Sequence, residues 1–300
     1  MNKFKIDKKE MGRVFSAPFE EYARIVSDKG GEVIDDEPYT RHLFLDRGGS
    51  VLGVAHLDTV QKFSDIRIDH RRGIIRSQTL DNRLGAWLIG WVLPRMGVVA
   101  DVLFTDNEER GASTAEYFTP RKQYNWVFSF DRGGDDVVLY QHEWSPYSRR
   151  LEDAGFKIGM GSYSDIASMD LGCLGVNIGC GMENYHSKDA WCDIGILKRN
   201  LNRFVRFYKD NKHDFLESDE PSYSAMYTRA KSMLWSDDMI VGKRWGWEVN
   251  EDGVLEEVET EYIECEVCNQ WAEANDMSYS SDYDVLMCAD CRRYFAANYR

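Results

Sequence analysis

The chain of 300 residues has no apolar run long enough to cross a bilayer. Its longest, Leu84 to Leu93, stops at Pro94 and is about half the roughly 20 residues a spanning helix requires. The first ten residues, MNKFKIDKKE, lack the apolar core of a secretory leader. These absences predict a cytoplasmic protein with no membrane partner. There is no internal repeat and no low-complexity tract. Cysteine is sparse in the main body, where Cys173, Cys180 and Cys192 read as reduced, partly buried small hydrophobes rather than a disulfide framework. An excess of positive charge is also missing. The net charge is −14, and it is unevenly placed. From His213 onward there are 20 acids and 7 bases, a balance of −13, whereas the first 212 residues hold 31 and 30, a balance of −1. So acidic a C-terminal part argues against a nucleic-acid backbone as partner.

What the chain does contain is the composition of a packed globular protein, 43% hydrophobic and 13% aromatic. Residues 18–28 have the apolar spacing of an amphipathic helix that ends at Gly30-Gly31. Residues 42–45, 51–55, 74–75, 102–104, 126–130, 137–140 and 176–178 read as short strands. Leu84 to Leu93 reads as a buried helix ended by Pro94, and Ile194 to Tyr208 as a closing amphipathic helix. The alternation predicts an α/β fold, a three-layer sandwich around a mostly parallel mixed sheet. Residues 1–212 would form this domain. Residues 213–260 read as an acidic linker with a short helix at 225–235 and a hairpin turning at Asn250 to Gly253.

Five short segments carry chemically suggestive side chains: His56-Leu57-Asp58, Asp81-Asn82-Arg83, Glu108-Glu109, Asp131 and His186. His56, Glu108-Glu109 and Asp131 follow predicted strands, where ligand sites of open α/β sheets gather. A histidine that binds metal through one ring nitrogen needs an acceptor for the other, and Asp58 is placed to supply it. Asp81 opens the apolar helix, where it could serve as a cap or bridge two cations, and Gly85 would admit a second segment close by. Asp131 ends an apolar strand, where burying a carboxylate costs free energy unless something compensates it. His186 lies in a glycine-rich loop with Asp189 as a candidate orienting acceptor. Each segment alone has an ordinary structural alternative: a cap, a solvated acidic pair or a satisfied core histidine.

Taken together, AHLDTV, LDNRLGA, TDNEERGA and NYHSKDAW resemble the co-catalytic di-zinc peptidase superfamily, which includes aminopeptidases, glutamate carboxypeptidases and tripeptidases. The resemblance covers roughly residues 15 to 210. It implies that His56 and Asp131 hold one zinc ion and Glu109 and His186 the other. Asp81 would bridge them, Glu108 would be the general base, and Asp58 would orient His56. Cobalt or manganese would suit similar ligands. Only 24 residues separate His56 from Asp81, and 54 separate Asp131 from His186, so neither gap holds a lid domain. The compact aminopeptidase-type branch fits best. The substrate would be a peptide or an amino-acid conjugate. A deacylase, a cyclotransferase and a non-catalytic adaptor on the same scaffold are the alternatives.

Some features stay open. Asp135 and Asp136 compete with Asp131 as ligand. Asp165, in YSD, looks similar to a Ser-Asp element near the site in relatives, or is a turn residue. Arg83, Arg110 and Arg132 adjoin the motifs and read as surface or carboxylate-pairing residues. His70 and His142 read as solvated surface. At the C-terminus, Cys265-x-x-Cys268 and Cys288-x-x-Cys291 lie 19 residues apart, the spacing of a four-cysteine structural zinc site. Residues 261–300 are therefore expected to form a small zinc-ribbon-like module, with a protein as its partner.

Overall fold

A computed structural model describes residues 4–35, 40–63, 65–140, 146–161, 163–169 and 171–217, and beyond these the backbone of five strands between 242 and 288. The chain divides into two compact units, 1–233 and 234–300. In the first unit the elements run α1 (Lys8–Ser16), α2 (Phe19–Ser27), β1 (Glu32–Ile34), β2 (His42–Leu45), β3 (Leu52–His56), β4 (Arg67–Asp69), β5 (Ile74–Arg76), α3 (Leu80–Trp87), α4 (Leu93–Arg95), β6 (Asp101–Thr105), β7 (Val127–Gly133), β8 (Val137–Val138), α5 (Pro146–Asp153), β9 (Gly175–Glu183), β10 (Trp191–Asp193) and α6 (Ile194–Asn211).

Ten strands form one mixed sheet in the order β1-β2-β6-β3-β7-β9-β10-β5-β4, with β8 beside β9. Its centre, β6-β3-β7-β9, is parallel, and the flanking strands pair antiparallel. Parallel strands buried on both faces need continuous apolar sequence, and every residue of β2, β3 and β6 is buried. Alternate residues of β3 serve opposite layers. Ala55 joins a core with Phe15, Tyr22, Trp87 and Phe204 from the helices. Leu52 and Val54 pack instead with Ala115, Ile166 and Ala167 from two 3₁₀ turns, Thr114–Tyr117 and Asp165–Ser168. The α/β sandwich expected from the sequence is the observed fold.

Two helical segments depart from the sequence expectation. Helix α1 is short and rich in lysine, so its apolar pattern is slight; Asp7 caps it by accepting from the N–H groups of Lys9 and Glu10, and Met11, Val14 and Phe15 are buried. The apolar helix does not stop at Pro94. It runs from α3 through a π-helical turn, Leu88–Val92, into α4. A proline there has no N–H to give to the preceding turn, and the widened turn disturbs the same hydrogen-bond ladder. Arg47 takes over, its guanidinium donating to the carbonyls of Ile89 at 3.2 Å and Gly90 at 2.9 Å.

In the second unit, β11 (Gly242–Val249) and β12 (Leu255–Glu264) pair antiparallel, and β13 (Trp271–Glu273) extends them. The register places Val249 opposite Leu255, and β14 (Met277–Ser280) pairs with β15 (Val285–Cys288). The expected helix at 225–235, the turn at 250–253 and the side chains of the four C-terminal cysteines lie outside the described residues.

Replacing Arg47 with methionine should leave two buried carbonyls without donors. At about 1–3 kcal/mol each, the expected loss of stability is about 2–6 kcal/mol, read from the urea midpoint of unfolding. An unchanged midpoint would mean that water serves those carbonyls equally well.

Candidate active site

The parallel strands β3, β6 and β7 deliver their carboxyl ends to one edge of the sheet. His56 is the last residue of β3 and is fully buried. Its Nδ1 lies 3.1 Å from the backbone oxygen of Asp58 and 3.3 Å from that residue's carboxylate. The carboxylate has a second task, since it accepts from the N–H groups of Glu108 at 3.3 Å and Glu109 at 3.1 Å. Asp58 thus ties the first histidine to the Glu-Glu turn, a link that sequence spacing does not reveal.

Asp81 does not cap α3. Its backbone is extended, and regular helical geometry starts after Asn82. Asn82 is the effective cap, its Oδ1 accepting from the N–H of Gly85 at 3.0 Å. The Asp81 carboxylate is free to enter the site. Gly85 allows the close approach: a Cβ there would lie 2.6 Å from the carbonyl oxygen of Phe130 on β7. The next residue on that strand, Asp131, donates its N–H to Asn177 Oδ1 on β9. Asn177 is a polar residue in an otherwise apolar strand, and that break in pattern was the available sequence signal for it.

The Glu108–Arg110 turn follows β6, bounded by Asn107 and Gly111, both in left-handed backbone conformation. This geometry lets adjacent glutamates face one site, which a regular strand forbids. His186 comes from the loop after β9. Its ring meets Tyr185 edge-on at 5.0 Å, and its carbonyl accepts from Gln61. The backbone N–H of Asp189 donates to Ser187 Oγ at 3.1 Å, and the polar partners of His186 Nε2 are Asp81 and Glu109.

The distances sort these groups into two sets. His56 Nε2 lies 3.3 Å from Asp131 Oδ1 and 3.3 Å from Asp81 Oδ1. His186 Nε2 lies 3.0 Å from Asp81 Oδ2 and 2.9 Å from Glu109 Oε2. The two oxygens of Asp81 therefore face different histidines. Glu108 Oε2 stands 3.6 Å from His56 Nε2. Ligands about 2.0–2.1 Å from a tetrahedral cation lie about 3.3 Å from one another, which is the spacing of the first set. His56 Nε2, Asp131 Oδ1 and Glu109 Oε1 are buried and have no hydrogen-bond partner among the described residues. Polar atoms in that condition are costly, and bound cations would offset the cost. The residues fit a metal-ion site.

Electrostatics follow from this crowding. Burial pushes Glu108 up to about 8 and Glu109 to about 7, and neighbouring carboxylates add to both shifts. Burial also carries Asp131 well above the usual carboxylate range. Burial works against a charged His56, but the carboxylates around it, Asp131 foremost, hold it well above an ordinary histidine. Burial opposes ionisation of Asp81 as well, yet His186 and His56 bring it below the usual value.

A cleft of about 750 Å³ opens over Asp81, Glu108, Asp131 and His186 and runs past Tyr140, Tyr163 and Tyr185. That is the size of a small-ligand site. The competing acids are occupied elsewhere, Asp136 with Arg132 at 2.6 Å and Asp135 with Arg199 at 3.1 Å. Arg83 donates to the carbonyl of Ala17 and lies over the Tyr22 ring. Arg110 and His70 are exposed, and His142 lies outside the described residues. Asp165 is fully buried, in a turn that Ser164 caps.

No protein-family model and no curated protein sequence matches the chain. Solved structures do. A tripeptidase from Staphylococcus aureus superposes with a TM-score of 0.51 over 70% of this chain and all of that one, at 11% identity. The aminopeptidase PepT of Bacillus cereus gives 0.49 at 12% identity, covering 67% and 95% of the two chains. A TET aminopeptidase from a marine-sediment thaumarchaeote gives 0.49 at 13% identity, covering 69% and 96%. The first of these likenesses shows the fold: the chain shares the α/β scaffold of that tripeptidase.

Two outcomes are expected. With Glu108 and Glu109 raised to about 8 and about 7, Glu108 is mostly protonated and Glu109 about half protonated at pH 7 in the metal-free chain. A divalent ion must displace those protons. Zn²⁺ titrated calorimetrically at pH 7 should therefore give heats that differ between buffers of different ionisation enthalpy; equal heats would contradict the crowded-carboxylate picture. Gly85→Ala should cost about 1–3 kcal/mol by overpacking and weaken Zn²⁺ binding by moving Asp81 away from Asp131; unaltered affinity would show that the close approach is dispensable.

Proposed function

We propose that the chain is a metal-dependent hydrolase of peptide bonds, an exopeptidase of aminopeptidase type that uses two zinc ions. The observation that carries this reading is the Asp81 carboxylate, one oxygen toward His56 and the other toward His186. His56 and Asp131 would hold one ion, Glu109 and His186 the other, with Asp81 shared. When bound, such a pair supplies Lewis acidity toward a carbonyl and lowers the pKa of water.

The protein's own groups account for the remaining steps. Asp58 holds the His56 ring in one orientation through Nδ1 and keeps the Glu-Glu turn folded beside it. Glu108, at the mouth of the cleft, accepts a proton from the attacking water. Water's oxygen bonds to the carbonyl carbon, the carbon–nitrogen bond breaks, and Glu108 returns the proton to the departing amine. Tyr140, Tyr163 and Tyr185 line the cleft; the hydroxyls of the first two are bonded to Asn177 and Ser113. The C-terminal unit is proposed to hold one structural zinc ion at Cys265, Cys268, Cys288 and Cys291 and to dock a protein partner.

Glu108→Gln should retain the metal ions and lose activity by about 10²–10⁴-fold; undiminished turnover would remove the assigned base. Elemental analysis should find about three zinc ions per chain and about two after Cys265→Ser. A panel of free, N-blocked and C-blocked peptides, together with acylated amino acids, tests the substrate class. Turnover requiring a free amine supports the aminopeptidase reading. Turnover of acylated amino acids alone would make the protein a deacylase, and no turnover of any would make it an adaptor.

A further inference from the structure

We propose that Asp165 is a positioning residue that holds closed the loop carrying Glu108 and Glu109. This rests on the roles proposed for those two glutamates. Residues 106–112 leave the sheet at Thr105, the last residue of β6, and return at Ser113, which opens the next 3₁₀ turn. Asp165 reaches both ends of this excursion with one oxygen. Its Oδ1 accepts from Thr105 Oγ1 at 2.9 Å and from Ser113 Oγ at 2.6 Å. Two residues earlier, Tyr163 accepts the N–H of Ser113 on its hydroxyl at 2.9 Å. The same short segment therefore grips the base of the loop twice, while Asp58 holds its tip through the N–H groups of Glu108 and Glu109.

The local turn does not require this carboxylate. Ser164 already caps it by accepting from the N–H of Ile166. Nor is the group there for its own satisfaction: it is fully buried, and its Oδ2 has no partner among the described residues. Burying an ionisable group in that state is expensive. What the position provides is an acceptor strong enough to hold two hydroxyls from opposite ends of one loop, because bonds to a carboxylate are stronger than neutral ones. Asp106 and Thr114 also exchange two bonds at 2.9 Å across the base of the loop, and Arg41 pairs with Asp106; Asp165 adds the clamp between Thr105 and Ser113 that these ties do not make.

The experiment compares Asp165→Ala, Asp165→Asn and the double variant Thr105→Val/Ser113→Ala in the full chain. Amide exchange of the metal-free protein should accelerate across residues 106–114 in Asp165→Ala and in the double variant, with β3 unchanged. Zn²⁺ affinity, measured by competition with a chromophoric chelator, should fall about 10–100-fold in both. Asp165→Asn keeps an acceptor and should recover most of each effect. On a hydrolysed peptide, kcat should drop with KM held. Unchanged exchange in 106–114 would overturn the proposal, as would an Asn variant as impaired as Ala. If Asp165→Ala does not fold, the double variant decides. If the wild type hydrolyses no peptide, the proposed function fails, while exchange and Zn²⁺ affinity still decide the role of Asp165.

Discussion

The structure turns on one carboxylate placed between two imidazoles. Asp81 faces His56 with one oxygen and His186 with the other, and three more acids, Glu108, Glu109 and Asp131, crowd the same few ångströms. Burial and the neighbouring carboxylates keep Glu108, Glu109 and Asp131 from ionising readily. The stiff, packed elements around them hold these groups together. His56 Nε2, Asp131 Oδ1 and Glu109 Oε1 are among the buried atoms without a hydrogen-bond partner among the described residues, and all three residues belong to groups that could hold a metal ion. A cluster built this way is preorganised for cations and strained without them.

Stiffness comes from how each acid is anchored. His56, the Glu-Glu turn and Asp131 sit at the ends of β3, β6 and β7, adjacent parallel strands of the sheet. Parallel neighbours finish at the same edge, so residues far apart in sequence meet there. Asp81 arrives from a helix that presses on β7 at Gly85. The loop holding Glu108 and Glu109 is gripped at its tip by Asp58 and at its base by Asp165 and Tyr163. Most of these ties are side-chain to backbone bonds from residues that are not themselves ligands. In a metal site such supports govern affinity and geometry nearly as much as the ligands do.

Much of the fold was legible because strands buried on both faces demand apolar runs, and β2, β3 and β6 have them. The elements that escaped were those with a weak pattern. Helix α1 has three buried residues among lysines, and β4 and β10 are three residues long. Pro94 misled because its cost is met from outside the helix, by Arg47, about forty residues earlier in the chain. Asp81 presents the reverse case. A helix-opening aspartate reads as a cap, but the neighbouring Asn82 takes that duty, and only then is the carboxylate available to the site.

The sequence by itself determined the chemical inventory: two histidines and five acids in five segments, most of them placed after strands or at a helix start, with glycines where chains must approach. Periodicity and spacing carry that information because they are local. Only the tertiary structure decided which oxygen faces which nitrogen, that Asp135 and Asp136 are engaged by arginines while Asp131 is not, and that Asp58 and Asp165 grip one loop from its two ends. Several of those relations join residues 50 and more positions apart. Their geometry is set by sheet order and register, which no stretch of local sequence encodes.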